Sequence, residues 1–380
     1  MQNFLKSLLQ QRQQDNLYRI RQLHTSVQTP TLLINDQEYL SFCSNDYLGL
    51  ASDLRLKKAW QEGAEKYGIG SGASHLITGH TSAHQSLEQE LAAYTKRERA
   101  LLFSTGYMAN LGVITALLGR HDAVFLDKLN HASLIDAARL SQAKMYRYSD
   151  LKVLEQMLIK SSANHKLIIT DGVFSMDGNI ANLSTIVELA KTYNAWVMVD
   201  DAHGLGVIGK TGRGTVELYD YEVEEVPILM GTLGKAFGVF GAFVAGSELL
   251  IETLIQLARS YIYTTALPPA LAETIRESLI IVTEENWRRQ HLQELIDYFR
   301  NHASNLPLME SSTPIQPVIL GDSATALKIS KKLYERGIIV TAIRPPTVPI
   351  GTARLRVTLS ALHNKKQIDR LIESLNFLLF

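Results

Sequence analysis

The sequence lacks several features that mark particular classes of protein. Its 380 residues contain one cysteine, Cys43, so no disulfide can form within the chain, and a reducing compartment is expected. Lysine plus arginine (38) equals aspartate plus glutamate (38), so no excess of charge favours nucleic acid or an anionic membrane. No apolar run approaches the ~20 residues that a membrane span needs, and the N-terminus lacks the apolar core of a signal peptide. These absences predict a cytoplasmic globular protein that binds neither nucleic acid nor membranes.

The sequence does contain a long alternation of helical patterns and short apolar runs. The predicted helices cover residues 53–67, 82–95, 106–118, 133–141, 150–160 and 184–193. The apolar runs cover residues 100–103, 123–126, 166–170, 196–199, 228–230 and 242–245. Runs that are apolar on both faces predict strands of a mostly parallel sheet that is covered by helices. Ligands of such sheets bind beyond the carboxyl ends of the strands.

The two ends of the chain follow different patterns. Residues 1 to about 24 predict an amphipathic helix, and the turn at Asn35 and Asp36 predicts a hairpin. After about residue 285, the order helix, strand, helix, two strands, helix predicts a smaller α+β domain. We therefore expect three segments: an N-terminal helix and hairpin at 1–50, a large α/β domain at 51–285, and a small C-terminal α+β domain at 286–380.

Lys235 and Asp200 are the most informative pair of residues. Lys235 lies among small residues, with the hydroxyl of Thr232 three positions earlier, and Asp200 ends an apolar, strand-like run. Each residue alone has an equally good ordinary explanation, as a surface lysine in a glycine-rich loop or an aspartate that caps a strand. Enzymes that use pyridoxal 5′-phosphate (PLP) require a lysine that forms a Schiff base and an aspartate that faces the pyridine nitrogen. Together, in this order, the two residues predict a PLP site.

A phosphate site is predicted where the chain leaves a strand and opens a helix at Gly106 and Tyr107. The backbone amides and the positive end of the helix suit a phosphate there, although an ordinary strand-to-helix turn has the same pattern. Thr232 and the hydroxyl-rich segment 261–265 can supply further donors. A second glycine cluster, at 68–72, follows a predicted helix rather than a strand. It therefore predicts a flexible active-site loop and not a dinucleotide site.

Two histidines and a serine lie beside these positions. His131 precedes Ser133, a predicted helix N-cap, and can stack on a planar cofactor. His203, three residues after Asp200, can bond a cofactor oxygen or Asp200 itself, and Ser175 follows another predicted strand. For each of them a purely structural role is the alternative. Six other histidines do not form a metal-ligand spacing, so no metal is expected: His75, His80, His84, His121, His165 and His363.

Arg344 and Arg356 are candidates for binding a substrate carboxylate, which a planar guanidinium can hold through two hydrogen bonds. Arg356 lies within a strand-like run, where a charge is unusual unless it faces a cavity or a partner. The alternative is a surface arginine on an edge strand. The two arginines indicate where a carboxylate substrate can bind.

The chain resembles the α-oxoamine synthases, a family of PLP-dependent enzymes similar to class-II aminotransferases. The resemblance covers nearly the whole chain and includes residues 42–50, 68–72, 173–178, 199–204 and 232–235, the last of which fits the PLP-attachment signature. Residues 343–356 look like the branch that serves biotin biosynthesis, rather than glycine C-acetyltransferase or 5-aminolevulinate synthase. The resemblance implies a PLP-dependent transferase fold of type I, with a mostly parallel central sheet in a large domain and a small α+β C-terminal domain.

The resemblance also implies a reaction and a role for each site residue. The reaction joins L-alanine to a pimeloyl thioester, carried by coenzyme A or by an acyl carrier protein, and releases CO2 and the free carrier. Lys235 forms the Schiff base, Asp200 pairs with the pyridine nitrogen, and His131 stacks on the ring. The remaining positions fall near cofactor oxygens (Ser175, His203), the phosphate (Gly106, Tyr107, Thr232) and the substrate (Arg19, His131, Thr347, Arg356).

The resemblance further implies a homodimer with the active site at the subunit interface, where Thr264 and Thr265 reach the neighbour's phosphate. Three alternatives stay open: another α-oxoamine synthase such as glycine C-acetyltransferase, a non-catalytic module with a PLP fold, and a nucleotide-binding α/β oxidoreductase. The intact Lys235, Asp200 and His131 argue against the second alternative. The glycine pattern at 68–72 argues against the third.

Overall fold

The computed structural model describes residues 1–380 and divides into two compact units. The larger unit is Asn45–Leu292, and the smaller combines Met1–Ser44 with Gln293–Phe380. No helix is both long enough and apolar enough to cross a membrane.

The elements follow one another in an alternating order along most of the chain. The strands are β1 (Thr31–Ile34), β2 (Gln37–Ser41), β3 (Arg99–Phe103), β4 (Ala123–Asp127), β5 (Lys144–Tyr148), β6 (Lys166–Asp171), β7 (Trp196–Asp200), β8 (Ile228–Thr232), β9 (Ala242–Gly246), β10 (Ile315–Gly321), β11 (Ile338–Ile339), β12 (Thr341–Ile343) and β13 (Ala353–Thr358). The helices are α1 (Gln2–Gln14), α2 (Leu54–Tyr67), α3 (Ser82–Thr95), α4 (Gly106–Leu117), α5 (Ala132–Ser141), α6 (Leu151–Lys160), α7 (Leu183–Thr192), α8 (Thr215–Leu218), α9 (Glu248–Leu257), α10 (Arg259–Ile262), α11 (Pro269–Glu284), α12 (Asn286–His302), α13 (Ser323–Glu335) and α14 (Lys365–Leu379), with one π-helical turn at His75–Gly79.

The larger unit is built on a seven-stranded sheet in the order β3-β9-β8-β7-β6-β4-β5. Strand β9 runs antiparallel to its neighbours β3 and β8. The five strands β8, β7, β6, β4 and β5 are parallel to one another. The prediction of a mostly parallel central sheet is thereby confirmed. Strand β5 was not predicted because it is an edge strand with a largely exposed, polar sequence, so it lacks the apolar signature of the inner strands.

Both faces of this sheet are covered, as the alternation along β4 shows. Val124 and Leu126 pack into a cluster with residues of α4, α5 and α9. Ala123 and Phe125, which point the other way, pack into a second cluster with residues of α6 and α7. Successive strand residues face opposite sides of a sheet, so a strand between two helical layers must be apolar throughout. This is the pattern that made the inner strands recognisable in the sequence.

The parallel strands bring their carboxyl ends to one edge of the sheet. Asp171 at the end of β6 is in register with Asp200 at the end of β7. Lys235 follows β8, the next strand in the sheet, after two intervening residues. Residues that are far apart in sequence therefore converge where ligands of α/β sheets bind.

The smaller unit contains two three-stranded sheets, β1-β2-β11 and β10-β13-β12. The predicted hairpin is present as β1 and β2, and its turn residues Asn35 and Asp36 have φ values of 48° and 60°. Positive φ at both central residues is the two-residue turn that matches the twist of a hairpin.

The N-terminal helix is shorter than predicted. Helix α1 ends at Gln14 rather than near residue 24, because Asn16 adopts a left-handed conformation (φ 57°). The amide of Leu17 donates to the carbonyl of Arg12 and the amide of Asn16 to that of Gln13, which is the Schellman ending of a helix. The apolar residues after Gln14 keep the helical spacing in the sequence, but they are not part of a helix.

Candidate active site

Lys235 lies in the loop after β8, and its side chain is half-buried. Its Nζ is 2.9 Å from Nε2 of His203, which follows β7. The other ring nitrogen of His203, Nδ1, is 2.7 Å from the hydroxyl of Tyr47, a residue that is completely buried. The structure thus brings Lys235 and His203 into direct contact.

Asp200 ends β7 and is 4% exposed. Asn110 of α4 donates from Nδ2 to Oδ2 of Asp200 at 2.8 Å, and the amide of Ala202 donates to Oδ1 at 3.1 Å. Hydrogen bonds to both oxygens hold the carboxylate in one orientation. A carboxylate fixed in this way can face a protonated ring nitrogen.

His131 caps helix α5, and the predicted cap, Ser133, lies instead in the first turn. Histidine takes the place of the usual short polar cap, because its Nδ1 accepts from the amide of Ser133 at 3.3 Å. His131 Nδ1 is also 2.7 Å from Ser133 Oγ. Burial lowers the pKa of His131, while the charge of Asp200 raises it and that of Lys235 lowers it. The imidazole therefore lies within electrostatic reach of both predicted PLP ligands.

Asp171 is the second carboxyl at this sheet edge and is buried. It accepts from Asn130 Nδ2 at 2.7 Å and from the amide of His131 at 3.1 Å. Burial raises the pKa of Asp171, and the neighbouring charge of Asp200 raises it further. Asp171 therefore adds less negative charge to the site than an ordinary aspartate, and its hydrogen bonds position His131.

The predicted phosphate site is the beginning of α4. Gly106 and Tyr107 are the first helical residues, and the side chain of Thr105 caps the helix by accepting from the amide of Met108. The first amides of a 12-residue helix present an unsatisfied positive end to an anion. The Tyr107 side chain is 44% exposed and donates to Asp136.

Two further predicted cofactor residues lie in loops of the same unit. Thr232 ends β8, and its hydroxyl donates to the carbonyl of Gly241 at 3.1 Å, which ties the two ends of the Lys235 loop together. Ser175 lies in the turn after β6, next to the short bridge between Val173 and Ile180. All eight predicted cofactor residues are thus in the larger unit. Their assignment to particular cofactor atoms stays a prediction.

The predicted substrate residues other than His131 lie in the smaller unit. Arg19 and Thr347 line one pocket of about 710 Å³, together with three more cations, Arg12, Lys331 and Arg344. No acidic side chain is among the residues that line it. Burial lowers the pKa of Arg344, and the charge of Arg19 lowers it further, so the two guanidinium groups repel each other. Such a pocket favours an anionic ligand.

Arg356 does not line this pocket and is not on an edge strand. It lies on β13, the central strand of its sheet, opposite Pro317 on one side and Thr341 on the other, and is only 7% exposed. Its charge acts on Cys43, whose pKa is raised mainly by burial. The explanation of Arg356 as a surface residue is therefore wrong, and its role toward a substrate stays a prediction.

Three histidines without a metal-ligand spacing come together around the π-helical turn. Candidate ligand atoms of His75, His80 and His84 lie within 4.8 Å of one another. Both ring nitrogens of His84 are engaged, however, Nδ1 by the amide of Thr81 at 3.0 Å and Nε2 by the carbonyl of Leu267 at 2.6 Å. Burial lowers the pKa of His75 to about 3. The cluster is a hydrogen-bonded group of imidazoles in which His84 has no nitrogen left for a metal.

Sequence reasoning missed two residues of the site, Asn110 and Tyr47. Asn110 had a usable signal, because an amide side chain in a largely apolar helix must find a buried partner. Tyr47 had none, since it lies 156 residues before His203 in the chain.

The assembled groups fit PLP. The amine of Lys235 suits the aldehyde carbon, the carboxylate of Asp200 suits the ring nitrogen, and the positive end of α4 suits the phosphate. A nicotinamide dinucleotide has no such need for a lysine amine. The residues at 68–72 follow helix α2, which also confirms that the glycine cluster is not in a dinucleotide-binding context.

Comparisons with known proteins agree with this fit. The profile of the family "Aminotransferase class I and II" matches residues 37–375. The 8-amino-7-oxononanoate synthases of Saccharophagus degradans and Pseudomonas putida F1 are each 55% identical to the chain, over 99% and 98% of its length and 96% of their own.

Solved structures resemble the chain over most of its length. Serine palmitoyltransferase from S. paucimobilis, solved with PLP and myriocin, superposes with a TM-score of 0.92 at 29% identity and covers 98% of this chain and 96% of its own. The 8-amino-7-oxononanoate synthase of Francisella tularensis superposes with a TM-score of 0.78 at 36% identity and covers 90% of this chain and 96% of its own. The chain belongs to the 8-amino-7-oxononanoate synthase family, within the class I and II aminotransferases.

Proposed function

We propose that the protein is a PLP-dependent acyltransferase of biotin biosynthesis. It condenses L-alanine with a pimeloyl thioester and yields 8-amino-7-oxononanoate, CO2 and the free thiol carrier. The observation that carries this proposal is the 55% identity to 8-amino-7-oxononanoate synthases over nearly the whole chain, combined with an intact lysine and aspartate at one sheet edge.

Bound PLP supplies an electron sink that stabilises negative charge at the alanine Cα. The protein supplies orientation and proton transfer. Lys235 carries the amine that would hold the cofactor, and as a free amine it would serve as general base at the alanine Cα. Its Nζ lies 2.9 Å from His203 Nε2, within hydrogen-bond distance.

The other residues orient the reacting groups. Asp200, held by Asn110, keeps a proton on the ring nitrogen, and His131 presents the flat face of its imidazole from the start of α5. The amides of Gly106 and Tyr107 bind the phosphate, and Ser175, His203 and Thr232 bind cofactor oxygens. These last assignments rest on the family resemblance and on the shared location of the residues in the larger unit.

The pocket of the smaller unit is the proposed site for the far carboxylate of the pimeloyl group. None of the residues that line it is acidic, and Arg19 and Arg344 repel each other, so an anionic ligand relieves this repulsion. Arg19 and Thr347 contact the ligand in this proposal. Arg356, buried on β13, is the candidate for the second substrate carboxylate.

We also propose that the protein acts as a homodimer in the cytoplasm. Thr264 and Thr265 follow helix α10, and the exposure of Thr265 supports the contact with a neighbouring subunit that the family resemblance implies. Either coenzyme A or an acyl carrier protein can deliver the pimeloyl group.

The test is thiol release by the purified PLP-loaded protein. L-alanine, glycine and L-serine are supplied separately, each with pimeloyl-CoA, and L-serine is also supplied with palmitoyl-CoA because of the likeness to serine palmitoyltransferase. We expect release with L-alanine and pimeloyl-CoA. Release with glycine instead leaves the mechanism in place and rejects the substrate, and release only with palmitoyl-CoA assigns the activity of the structural relative.

A further inference from the structure

The backbone carbonyl of Leu267 is a buried acceptor that two side chains share. His84 Nε2 and Ser71 Oγ are each 2.6 Å from its oxygen, and Leu267 is only 2% exposed. A carbonyl oxygen only accepts, so both side chains donate to it. The two donors come from different parts of the chain, His84 from the first turn of α3 and Ser71 from the glycine-rich segment at 68–72.

This carbonyl lies just after the hydroxyls that are proposed to reach a neighbouring subunit. Thr265 comes two residues before Leu267 and Thr264 three, in a stretch between α10 and α11 that belongs to no helix or strand. In the same stretch the amide of Ala266 donates to the carbonyl of Ala73 at 2.9 Å. The conformation of the stretch therefore depends on hydrogen bonds to distant residues, because it has no regular backbone ladder of its own.

His84 is completely buried, and its hydrogen bonds define its tautomer. Its Nδ1 accepts from the amide of Thr81 at 3.0 Å and is also 3.0 Å from the Thr81 hydroxyl. An amide N–H only donates, so the proton of the neutral ring lies on Nε2 and points at Leu267. Burial lowers the pKa of His84 despite the bond to Leu267, which favours this neutral ring.

Helix α3 connects His84 to the central sheet. Glu88, one turn further along α3, accepts from the amide of Leu102 in β3 at 3.0 Å. Strand β3 leads into α4, whose first turn is the proposed phosphate site. The carbonyl of Leu267 is therefore held, through His84 and α3, to the strand that precedes that site.

We propose that His84 is a positioning residue for cofactor binding, whose Nε2–H holds the Leu267 carbonyl and so fixes the backbone of Thr264 and Thr265 where their hydroxyls bind the phosphate of the neighbouring subunit. Ser71 shares this role through the same carbonyl. The inference rests on the proposed function, which places these hydroxyls near that phosphate, and it deepens that function by naming the residues that hold them. His84 itself touches neither cofactor nor substrate.

The first test compares two ligands that differ only in the phosphate. PLP and pyridoxal are titrated separately into apoprotein, and the ratio of the two Kd values measures what the phosphate contributes. His84→Asn keeps an acceptor near the position of Nδ1 but is too short to reach Leu267, whereas His84→Gln places an amide N–H near the position of Nε2. We expect His84→Asn to weaken PLP about fivefold, as loss of one hydrogen bond of about 1 kcal/mol implies, and to leave pyridoxal unchanged. His84→Gln should bind PLP within about twofold of the wild type, because it keeps the donor.

The second test asks whether His84 acts through the two threonines. In a variant that combines Thr264→Val with Thr265→Val, the hydroxyls are absent and their position no longer matters. Adding His84→Asn to this variant should therefore leave the ratio of the two Kd values unchanged, whereas independent sites give additive effects. A further loss of PLP affinity of about fivefold in this background overturns the proposal.

Ser71→Ala keeps the test decisive if His84→Asn does not fold, since it removes the other donor to the same carbonyl from a half-buried position. It should also weaken PLP and leave pyridoxal unchanged. Thr274→Val is the matched control, because it removes another buried bond from a side chain to a carbonyl, that of Thr274 Oγ1 to Ala270 at 2.8 Å in α11. It should change neither affinity.

Equal weakening of PLP and pyridoxal in His84→Asn overturns the proposal, as does an equal loss in His84→Gln and His84→Asn. A wild-type protein that sediments as a monomer at the assay concentration also overturns it, because no neighbouring phosphate is then present. If the wild type releases no thiol with L-alanine and pimeloyl-CoA, the proposed function fails, while the comparison of PLP with pyridoxal still decides on His84.

Discussion

Asn110 donates from Nδ2 to Oδ2 of Asp200 at 2.8 Å, which joins helix α4 to the end of strand β7. The same amide nitrogen is 2.9 Å from Ser133 Oγ, and Ser133 Oγ is 2.7 Å from His131 Nδ1. One helix therefore holds Asp200, the carboxylate proposed to face the pyridine nitrogen, and, through Ser133, His131, the imidazole proposed to stack on the ring. The same helix begins at Gly106, where the phosphate is proposed to bind, so α4 would relate the three proposed contacts to one another.

Replacing Asn110 is expected to loosen this arrangement. Asn110→Ala removes the donor to a buried carboxylate, and we expect PLP to bind about tenfold more weakly, as the cost of a lost bond to a charged group implies. Equilibrium titration of apoprotein with PLP measures the effect. Thr115→Ala on the same helix is the control, because the Thr115 hydroxyl donates to the carbonyl of Leu111 within α4. Equal weakening by both substitutions would show that α4 matters for stability alone.

The inner strands and the helices between them could be predicted from the sequence because both are defined by local periodicity. The predicted helices of the larger unit agree with the observed bounds within one residue, as at Ser82–Thr95, and the strand ends at Asp200 and Thr232 were placed within two residues. Parallel strands share their carboxyl edge, so the convergence of Asp200 and Lys235 followed from the fold class.

What could not be predicted depends on packing between distant parts of the chain. Edge strand β5 has one partner strand and a polar sequence, and the end of α1 depends on the backbone conformation of Asn16. The bond between Tyr47 and His203 joins residues 156 positions apart, and no local pattern records it. For the same reason, no local pattern predicts that Met1–Ser44 and the C-terminal residues form one compact unit.

Arg19 is expected to determine how tightly the pimeloyl group binds. Arg19→Gln removes one cation from a pocket without carboxylates, and we expect KM for pimeloyl-CoA to rise about 10- to 100-fold, since a hydrogen bond to a charged group contributes about 1.5–3 kcal/mol. KM for L-alanine should stay unchanged. Arg21→Gln, two positions along and not among the residues that line the pocket, is the matched control.

A second substrate sharpens the test of Arg19. A pimeloyl thioester whose far carboxylate is a methyl ester carries no charge at that end, so wild type and Arg19→Gln should have similar KM values for it. If Arg19→Gln weakens the ester as much as the acid, Arg19 contacts another part of the substrate.

Glu88 is expected to make the stability of the fold depend on pH. It is 9% exposed, accepts from the amide of Leu102 at 3.0 Å, and burial raises its pKa from 4.5 to about 7. Because the folded pKa is the higher one, the contribution to stability is fully present below pH 4.5 and is lost as the pH rises through about 7. Glu88→Gln keeps an acceptor oxygen and does not ionise. Relative to this variant, the wild type should lose about 3 kcal/mol of unfolding free energy across that window.

Urea unfolding of both apoproteins at several pH values between about 4 and 8 measures this difference. Glu62→Gln on helix α2, whose side chain is 65% exposed, should give no comparable trend. A constant difference between wild type and Glu88→Gln at all pH values would mean that Glu88 has the same pKa in the folded and in the unfolded protein.

Replacing Lys235 is expected to abolish the reaction while PLP still binds. Lys235→Ala removes the amine but leaves Asp200 and the start of α4 in place, so PLP should still bind without a covalent bond and should be lost on dialysis. The visible absorbance of lysine-bound PLP should disappear, and thiol release should fall on the order of a thousandfold, as loss of a general base implies. Lys210→Ala, an exposed lysine of the loop after β7, should leave the absorbance and the rate unchanged. Retention of the visible absorbance in Lys235→Ala would assign the cofactor to a different lysine, and the contact between Lys235 and His203 would then have no part in the reaction.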